Sequence, residues 1–229
     1  MAKKSKRKDS QKQPVQNVEE TLSKTERFLE ENYKTLLKAL ALIVAIVLAG
    51  WLVKVSLDNR SSEAAAEMYQ AEKYFERDSF ELALYGDGNY PGFLDVIASY
   101  RMTRSANLAR YYAGISYLHL GDYESAIEKL SGFRKRDVVL STTATGAIGD
   151  AWVELGDLEK GADYYKEAAN YSDNIFLTPV YLMKAGQVYE ALGRHEDALK
   201  AWQRIRDDYP ESTEASDAIK HIARVRLAN

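Results

Sequence analysis

Side-chain character changes twice along the chain. Polar and charged residues dominate up to residue 35, then the side chains turn uniformly apolar, and from residue 58 apolar positions recur with helical spacing. The middle stretch is the sharpest signal. Ala39 to Val53, ALALIVAIVLAGWLV, contains no charge and no polar side chain over fifteen residues. At about 1.5 Å per residue this makes roughly 22 Å of helix, short of a hydrocarbon core of about 30 Å. Leu36, Leu37, Val55 and Leu57 complete the apolar surface, so the pattern predicts a transmembrane helix over Leu36–Leu57. Lys38 and Lys54 lie near its ends, where long stems let their ammonium groups reach the interface. Tyr33 and Trp51 occupy the places that interfacial aromatics favour. A cleavable signal is disfavoured by the long polar lead and by Lys54-Val55-Ser56-Leu57, a poor cut site.

Beyond the apolar run one fragment is written three times. Its turn recurs as Gly121-Asp122-Tyr123, Gly156-Asp157-Leu158 and Gly193-Arg194-His195, at spacings of 35 and 37 residues. Seven residues before each turn glycine stands another glycine, Gly114, Gly149 or Gly186. Four before it stands a large aromatic, Tyr117, Trp152 or Tyr189. Five after it stands a small residue, Ala126, Gly161 or Ala198. A period of this length predicts paired antiparallel helices stacked as a solenoid. The turn glycines suit the left-handed position that ends the first helix. Asp122 and Asp157 suit the N-cap of the second. Glycines 114, 149 and 186 each cost about 1 kcal/mol against alanine inside a helix, so their recurrence points to close helix approach, with Leu130, Tyr165 and Trp202 facing them.

These residues resemble the tetratricopeptide repeat. The three units are expected over about 107–138, 142–173 and 179–210, within a repeat region 105–211. The third matches best, from Thr178-Pro179 as N-cap and first-turn proline to the closing Tyr209-Pro210. Upstream, 58–104 reads as a degenerate first unit, with Ala71, Tyr74, Phe80 and Ala83 at matching offsets. The loop Gly86-Asp87-Gly88-Asn89-Tyr90-Pro91-Gly92 interrupts it, and a second helix resumes over Phe93–Arg104. Residues 212–229, with Ala215, Ala218, Ile219, Ile222 and Val225 on one face, read as a capping helix. The expected fold is all-α, a single transmembrane helix followed by a tetratricopeptide-type solenoid.

Charge adds orientation. The chain carries 31 Lys/Arg and 34 Asp/Glu. Residues 1–57 hold a net of +5 and the remainder a net of −8. The 1–20 tail, with Lys3, Lys4, Lys6, Arg7, Lys8 and Lys12, reads as disordered and basic, and 21–35 as a juxtamembrane helix. The positive-inside rule then places the N-terminus in the cytoplasm and the repeats across the inner membrane, in the periplasm. An acidic repeat region argues against nucleic acid as the main partner, because phosphate binding needs a basic footprint. The tail serves topology and lipid contact, with ribosome contact as its alternative. With no cysteine in the chain, disulfides, thiolate nucleophiles and Cys-based zinc sites are excluded.

The chain shows no catalytic constellation. His119, His195 and His221 show no metal-ligand spacing, and no nucleophile–base pair stands out. Asp87 and Asn89 form a loop without the remaining calcium ligands. A non-enzyme without cofactor is therefore expected, with a hydrolase site in the Gly86–Gly92 loop ranked last. The candidate protein-binding groove runs along the first helix of each pair: Tyr69 and Glu72, Tyr111, Ile115 and His119, Asp150 and Glu154, then Lys184, Gln187 and Glu190. Its aromatic and acidic lining suits extended or unfolded segments or a partner helix; a solvated acidic face is the competing reading. Tetratricopeptide clamps for a C-terminal carboxylate carry Lys and Asn at these offsets, which this chain mostly lacks.

The stretches Leu82-Ala83-Leu84-Tyr85-Gly86-Asp87-Gly88-Asn89-Tyr90-Pro91-Gly92-Phe93-Leu94 and Asn107-Leu108-Ala109-Arg110-Tyr111-Tyr112-Ala113-Gly114, together with the basic tail and anchor, are similar to the YfgM-like ancillary subunits of the bacterial SecYEG translocon. That resemblance implies a non-enzymatic scaffold with translocon subunits, periplasmic chaperones and nascent or unfolded exported chains as partners. The same repeat architecture also serves envelope adaptors for cell division or cell-wall assembly, which is the alternative.

Overall fold

The computed structural model describes residues 13–171 and 173–228. Every regular element among them is a helix: α1 Gln13–Phe75, α2 Phe80–Tyr85, α3 Phe93–Ser99, α4 Arg104–Leu120, α5 Tyr123–Ser131, α6 Val138–Glu154, α7 Leu158–Tyr171, α8 Leu177–Ala191, α9 His195–Asp208 and α10 Ala215–Ala228. The chain divides into two units, residues 1–56 and 57–229.

In the first unit α1 contains a stretch long and apolar enough to cross a bilayer, within Glu31–Phe75. Leu36, Leu40, Ile43, Val47 and Trp51 are all exposed. Such a surface is costly in water and favourable in lipid. Lys38 and Lys54 flank it, also exposed. Residues 13–20 are helical, which corrects the expectation of disorder for that part of the tail. Helix propagation from an existing nucleus is cheap, so a polar stretch without Gly, or Pro beyond the first turn, extends it. The basic cluster Lys3–Lys12 lies outside the described residues.

In the second unit consecutive helices pack as antiparallel pairs: α4 with α5, α6 with α7, α8 with α9, and α10 closing on α9. Local chemistry sets the ends. Gly121, Gly156 and Gly193 adopt left-handed backbone, φ 78°, 82° and 73°, as the turn motif requires. Asp122 accepts a hydrogen bond from Ser125 N at 3.1 Å, and Asp157 one from Lys160 N at 3.1 Å. The repeated interior glycines are packing sites. A Cβ on Gly114 would lie 2.5 Å from Leu130 Cγ, on Gly149 2.8 Å from Tyr165 Cδ1, and on Gly186 2.6 Å from Trp202 Cε2.

The sequence period reappears as a ladder of polar contacts between neighbouring repeats. Lys135 pairs with Glu167 at 2.7 Å, Arg194 with Glu159 at 2.7 Å, Arg204 donates to Asn170 at 2.7 Å, and Tyr209 donates to Asp173 at 2.5 Å. Each partner lies one repeat away, so the register between repeats is fixed by polar groups as well as by the apolar core.

Three boundaries differ from expectation. The second helix of the degenerate unit starts at Phe93 as expected but stops at Ser99 rather than running to Arg104. The Thr103 hydroxyl accepts from Ala106 N at 3.1 Å and starts α4 there. The third unit begins earlier than Thr178-Pro179 suggests. Asn174 Oδ1 accepts from both Phe176 N and Leu177 N at 2.9 Å, while Thr178 Oγ1 accepts from Asn174 N at 3.0 Å. A side chain two or three residues upstream thus satisfies the free amides that capping demands. On α10, Ala218, Ile222 and Val225 are buried, but Ile219 is 52% exposed. It falls just outside the arc of buried positions on the helical wheel, so only a narrow stripe meets α9.

Candidate functional site

The first helices of successive pairs touch one another, α4 with α6 and α6 with α8. Three of the ten expected groove residues meet where these helices adjoin. Asp150, Glu154 and Lys184 come together in one cleft of about 340 Å³, with Leu118, Tyr123, Val153 and Tyr165 as the remaining lining. At its centre Asp150 Oδ1 accepts from Tyr165 Oη at 2.6 Å and from Lys184 Nζ at 2.6 Å. Lys184 Nζ lies 5.5 Å from the Tyr165 ring and 6.0 Å from the Tyr181 ring. The two rings stack 6.5 Å apart. Burial, then the Asp150 hydrogen bond, pushes the Tyr165 phenol far above its ordinary value; burial does the same to Tyr181. Both therefore stay neutral donors at any physiological pH.

The acidic groups of the cleft are not equivalent. Asp150 has its charge offset by Lys184 and its Oδ1 engaged by two donors. Glu154 is exposed, and among the described residues its hydrogen bond is from Tyr123 Oη at 3.4 Å, weak at that length. The cleft thus offers one available carboxylate beside the apolar walls of Leu118 and Val153.

The other expected groove residues have different surroundings. Tyr111 donates to or accepts from Thr143 at 3.2 Å and packs half-buried with Ile115 against Phe133 and Ile148. His119 stacks on Phe80, centroids 4.4 Å apart. Glu190 is held by Arg224 at 2.6 Å and faces His221, which ties it to the capping helix. Glu72 is half-buried, and burial, with Glu76 adding, raises its carboxyl above the ordinary range. Tyr69 and Gln187 are exposed outside the cleft lining. Sequence offsets along first helices missed Tyr123 and Tyr165, because both come from second helices. Tyr165 did carry a signal: it faces Gly149, so its ring crosses the pair and its hydroxyl emerges at Asp150.

The Gly86–Gly92 loop is a turn held by its own groups. Asp87 Oδ1 accepts from Asn89 N at 2.9 Å and Tyr90 N at 2.8 Å, and Oδ2 accepts from Tyr74 Oη at 2.8 Å. These bonds, the Tyr90 amide first, hold the Asp87 carboxyl below its usual range. Among the described residues no group of three or more His, Asp or Glu side chains is arranged to hold a metal ion.

Family comparison agrees with this geometry. Tetratricopeptide repeat families match residues 111–175 and residues 181–212. The stack over these residues is a tetratricopeptide-type solenoid. No curated protein sequence matches the chain. Tetratricopeptide repeats in general are non-catalytic scaffolds that bind protein partners.

Proposed function

We propose that the protein is a membrane-anchored tetratricopeptide scaffold at the Sec translocon. Its N-terminus lies in the cytoplasm, α1 crosses the inner membrane, and the repeats face the periplasm. There they contact emerging exported chains or periplasmic chaperones. The anchor reading rests on the apolar surface of Leu36–Leu57 and on the positive charge before it. The translocon setting rests on the similarity of residues 82–94 and 107–114 to YfgM-like subunits.

The observation that carries the binding reading is the cleft around Asp150. Hydrophobic walls, neutral tyrosines and one available carboxylate suit an extended segment that places an apolar side chain over Leu118 and Val153 and a Lys or Arg beside Glu154. A peptide C-terminal carboxylate meets repulsion there instead. The test is site-specific photocrosslinking in intact cells from Tyr123 and Glu154, with purification of the anchored protein in mild detergent. Adducts to exported chains or chaperones, together with co-purified translocon channel, are expected. Recovery of the protein free of channel removes the translocon assignment. Adducts distributed equally between cleft positions and an outer position such as Glu196 remove the cleft. Protease added to spheroplasts is expected to digest the repeats; digestion of the basic tail alone inverts the topology.

A further inference from the structure

The loops that join one helix pair to the next, together with the residues that flank them, bear a concentration of exposed cationic and apolar side chains. Tyr100–Thr103, between α3 and α4, holds Arg101 and Met102, and Arg104 follows. Gly132–Asp137, between α5 and α6, holds Arg134, Lys135 and Arg136, and Val138 and Val139 follow. Met102 is 67% exposed, Val138 and Val139 about half exposed. The two loops are joined: Asn107 donates to Arg134 O at 3.1 Å and accepts from Arg134 N at 2.7 Å. Met102, Arg104, Arg134 and Arg136 line one shallow depression of about 250 Å³. Among the described residues none of the Arg101, Arg104, Arg134 or Arg136 guanidinium groups meets a carboxylate, whereas Lys135 pairs with Glu167. The one acidic side chain in the depression, Asp137, is engaged as the N-cap of α6. Four uncompensated arginines around exposed Met and Val are unusual in a region whose net charge is −8.

This cationic patch adjoins the point where the chain enters the repeat unit. Arg60 donates to Ser99 O at 2.8 Å and lies over the Tyr100 ring at 5.7 Å. Ser105 donates to Ser61 O at 2.6 Å. Arg60 is three residues past Leu57, where the apolar segment ends, a rise of about 4.5 Å. A headgroup layer is roughly 5–8 Å deep on each side of the hydrocarbon. The later inter-repeat segments, further from this entry point in sequence, carry Asp173, Asp208, Glu211 and Glu214 instead. Among the inter-repeat loops, positive charge is therefore confined to the two nearest the entry in sequence, while α1 brings Glu63 and Glu67 against Tyr100 there.

We infer that the edge formed by Arg101, Met102, Arg104, Arg134, Arg136 and Val139 docks on the headgroups of an anionic bilayer surface, the arginines on lipid phosphates and Met102 and the valines among the upper acyl segments. The inference rests on the anchor reading above. Arginine suits phosphate because its planar fork donates two hydrogen bonds at once. Exposed apolar residues between cations are the composition of an interfacial surface. Docking would hold the repeats in one orientation over the membrane, with the cleft at a fixed distance from the lipid.

The absence of native cysteine makes the test direct. The full chain is reconstituted with single environment-sensitive labels at Met102→Cys, Val139→Cys, Glu124→Cys and Val44→Cys, in vesicles with and without anionic lipid, and quenching by nitroxide lipids is read. Expected is quenching at 44 in both vesicle types, at 102 and 139 chiefly in anionic vesicles, and none at 124. Replacing Arg101, Arg104, Arg134 and Arg136 with Gln is expected to reduce docking about fivefold per arginine, with the far-ultraviolet circular dichroism melt unchanged. Quenching at 44 with silence at 102 and 139 overturns the edge and leaves the anchor standing. Silence at 44 overturns the anchor and the edge with it. Shielding of 102 and 139 in native membranes but not in lipid vesicles assigns the edge to a protein partner and overturns lipid docking. Undiminished quenching in the four-glutamine variant overturns the role of the arginines.

Discussion

Gly186→Ala tests the packing logic of the repeats most directly. In an open helix the change would stabilise by about 1 kcal/mol through propensity. Here the added methyl lies 2.6 Å from Cε2 and 2.8 Å from Cδ1 of Trp202. The indole cannot swing aside, because Trp202 is wholly buried and stacked on His221 at 4.6 Å. Overpacking costs about 1–3 kcal/mol; an approach this close to a fixed indole belongs at the upper end, about 2–3 kcal/mol, and exceeds the propensity gain. The expected net is a loss of about 1–2 kcal/mol, or roughly 2–8 °C in midpoint for a domain of this size. Gly132→Ala is the control. There φ is −77° and the nearest atoms are carbonyl oxygens at 3.5 Å, so alanine is expected to be neutral or to gain up to about 1 kcal/mol. Both variants of the full chain are followed by thermal circular dichroism in detergent. In a Trp202→Leu background the Gly186→Ala penalty is expected to shrink, giving a measurable coupling. A Gly186→Ala protein as stable as the parent, or one that moves in step with Gly132→Ala, would refute the close-approach explanation.

Removing the caps by Asp122→Ala or Asp157→Ala is expected to cost about 1 kcal/mol each, read in the same melts. Lys184→Ala is expected to cost under about 1 kcal/mol, since the pair with Asp150 is about a third exposed and such pairs contribute little. The same change should nevertheless alter crosslinking from Glu154, because it frees a second carboxylate in the cleft. Stability is expected to fall as pH rises above about 10. Below that value the Tyr165 and Tyr181 phenols are protonated whether the chain is folded or not. Above it the unfolded chain releases these protons while the folded one, by burial first and the Asp150 bond at Tyr165 second, retains them. Tyr165→Phe should flatten this alkaline slope in denaturant titrations, and a midpoint flat from pH 9 to 11.5 in the parent would contradict the assignment.

The repeats were legible because their determinants are local and recur. A left-handed glycine, an acidic cap and a glycine facing a large side chain leave marks at fixed offsets, and Gly114–Leu130, Gly149–Tyr165 and Gly186–Trp202 pair as those offsets imply. The helix limits around residues 86–104 and 172–178 were less legible. There the boundary depends on which side chain reaches a free amide. Thr103 stops one helix and starts another, and Asn174 caps α8 from outside it. Neither competition can be decided by hydrophobic period alone.

The cleft and the cationic edge were hidden for a different reason. Both are assembled across repeats, from residues about one period apart. Repeat offsets put Asp150 and Lys184 along one groove, but their ion pair shows only where α6 and α8 adjoin, and Tyr165 looks like core until its hydroxyl is traced to Asp150. Arg101 and Arg104 are separated by thirty residues from Arg134 and Arg136 in the sequence, and the Asn107–Arg134 bonds bring the two groups to one edge. A net charge of −8 describes the repeat region as acidic, but charge acts over a Debye length of about 8 Å, not over a whole domain. What a partner or a bilayer meets is therefore the local arrangement: neutralised Asp150 beside available Glu154 in the cleft, and unpaired arginines at the tether. Two surfaces of opposite character on one scaffold are what a domain needs if it is to take a cationic segment on one face while resting on anionic lipid at another.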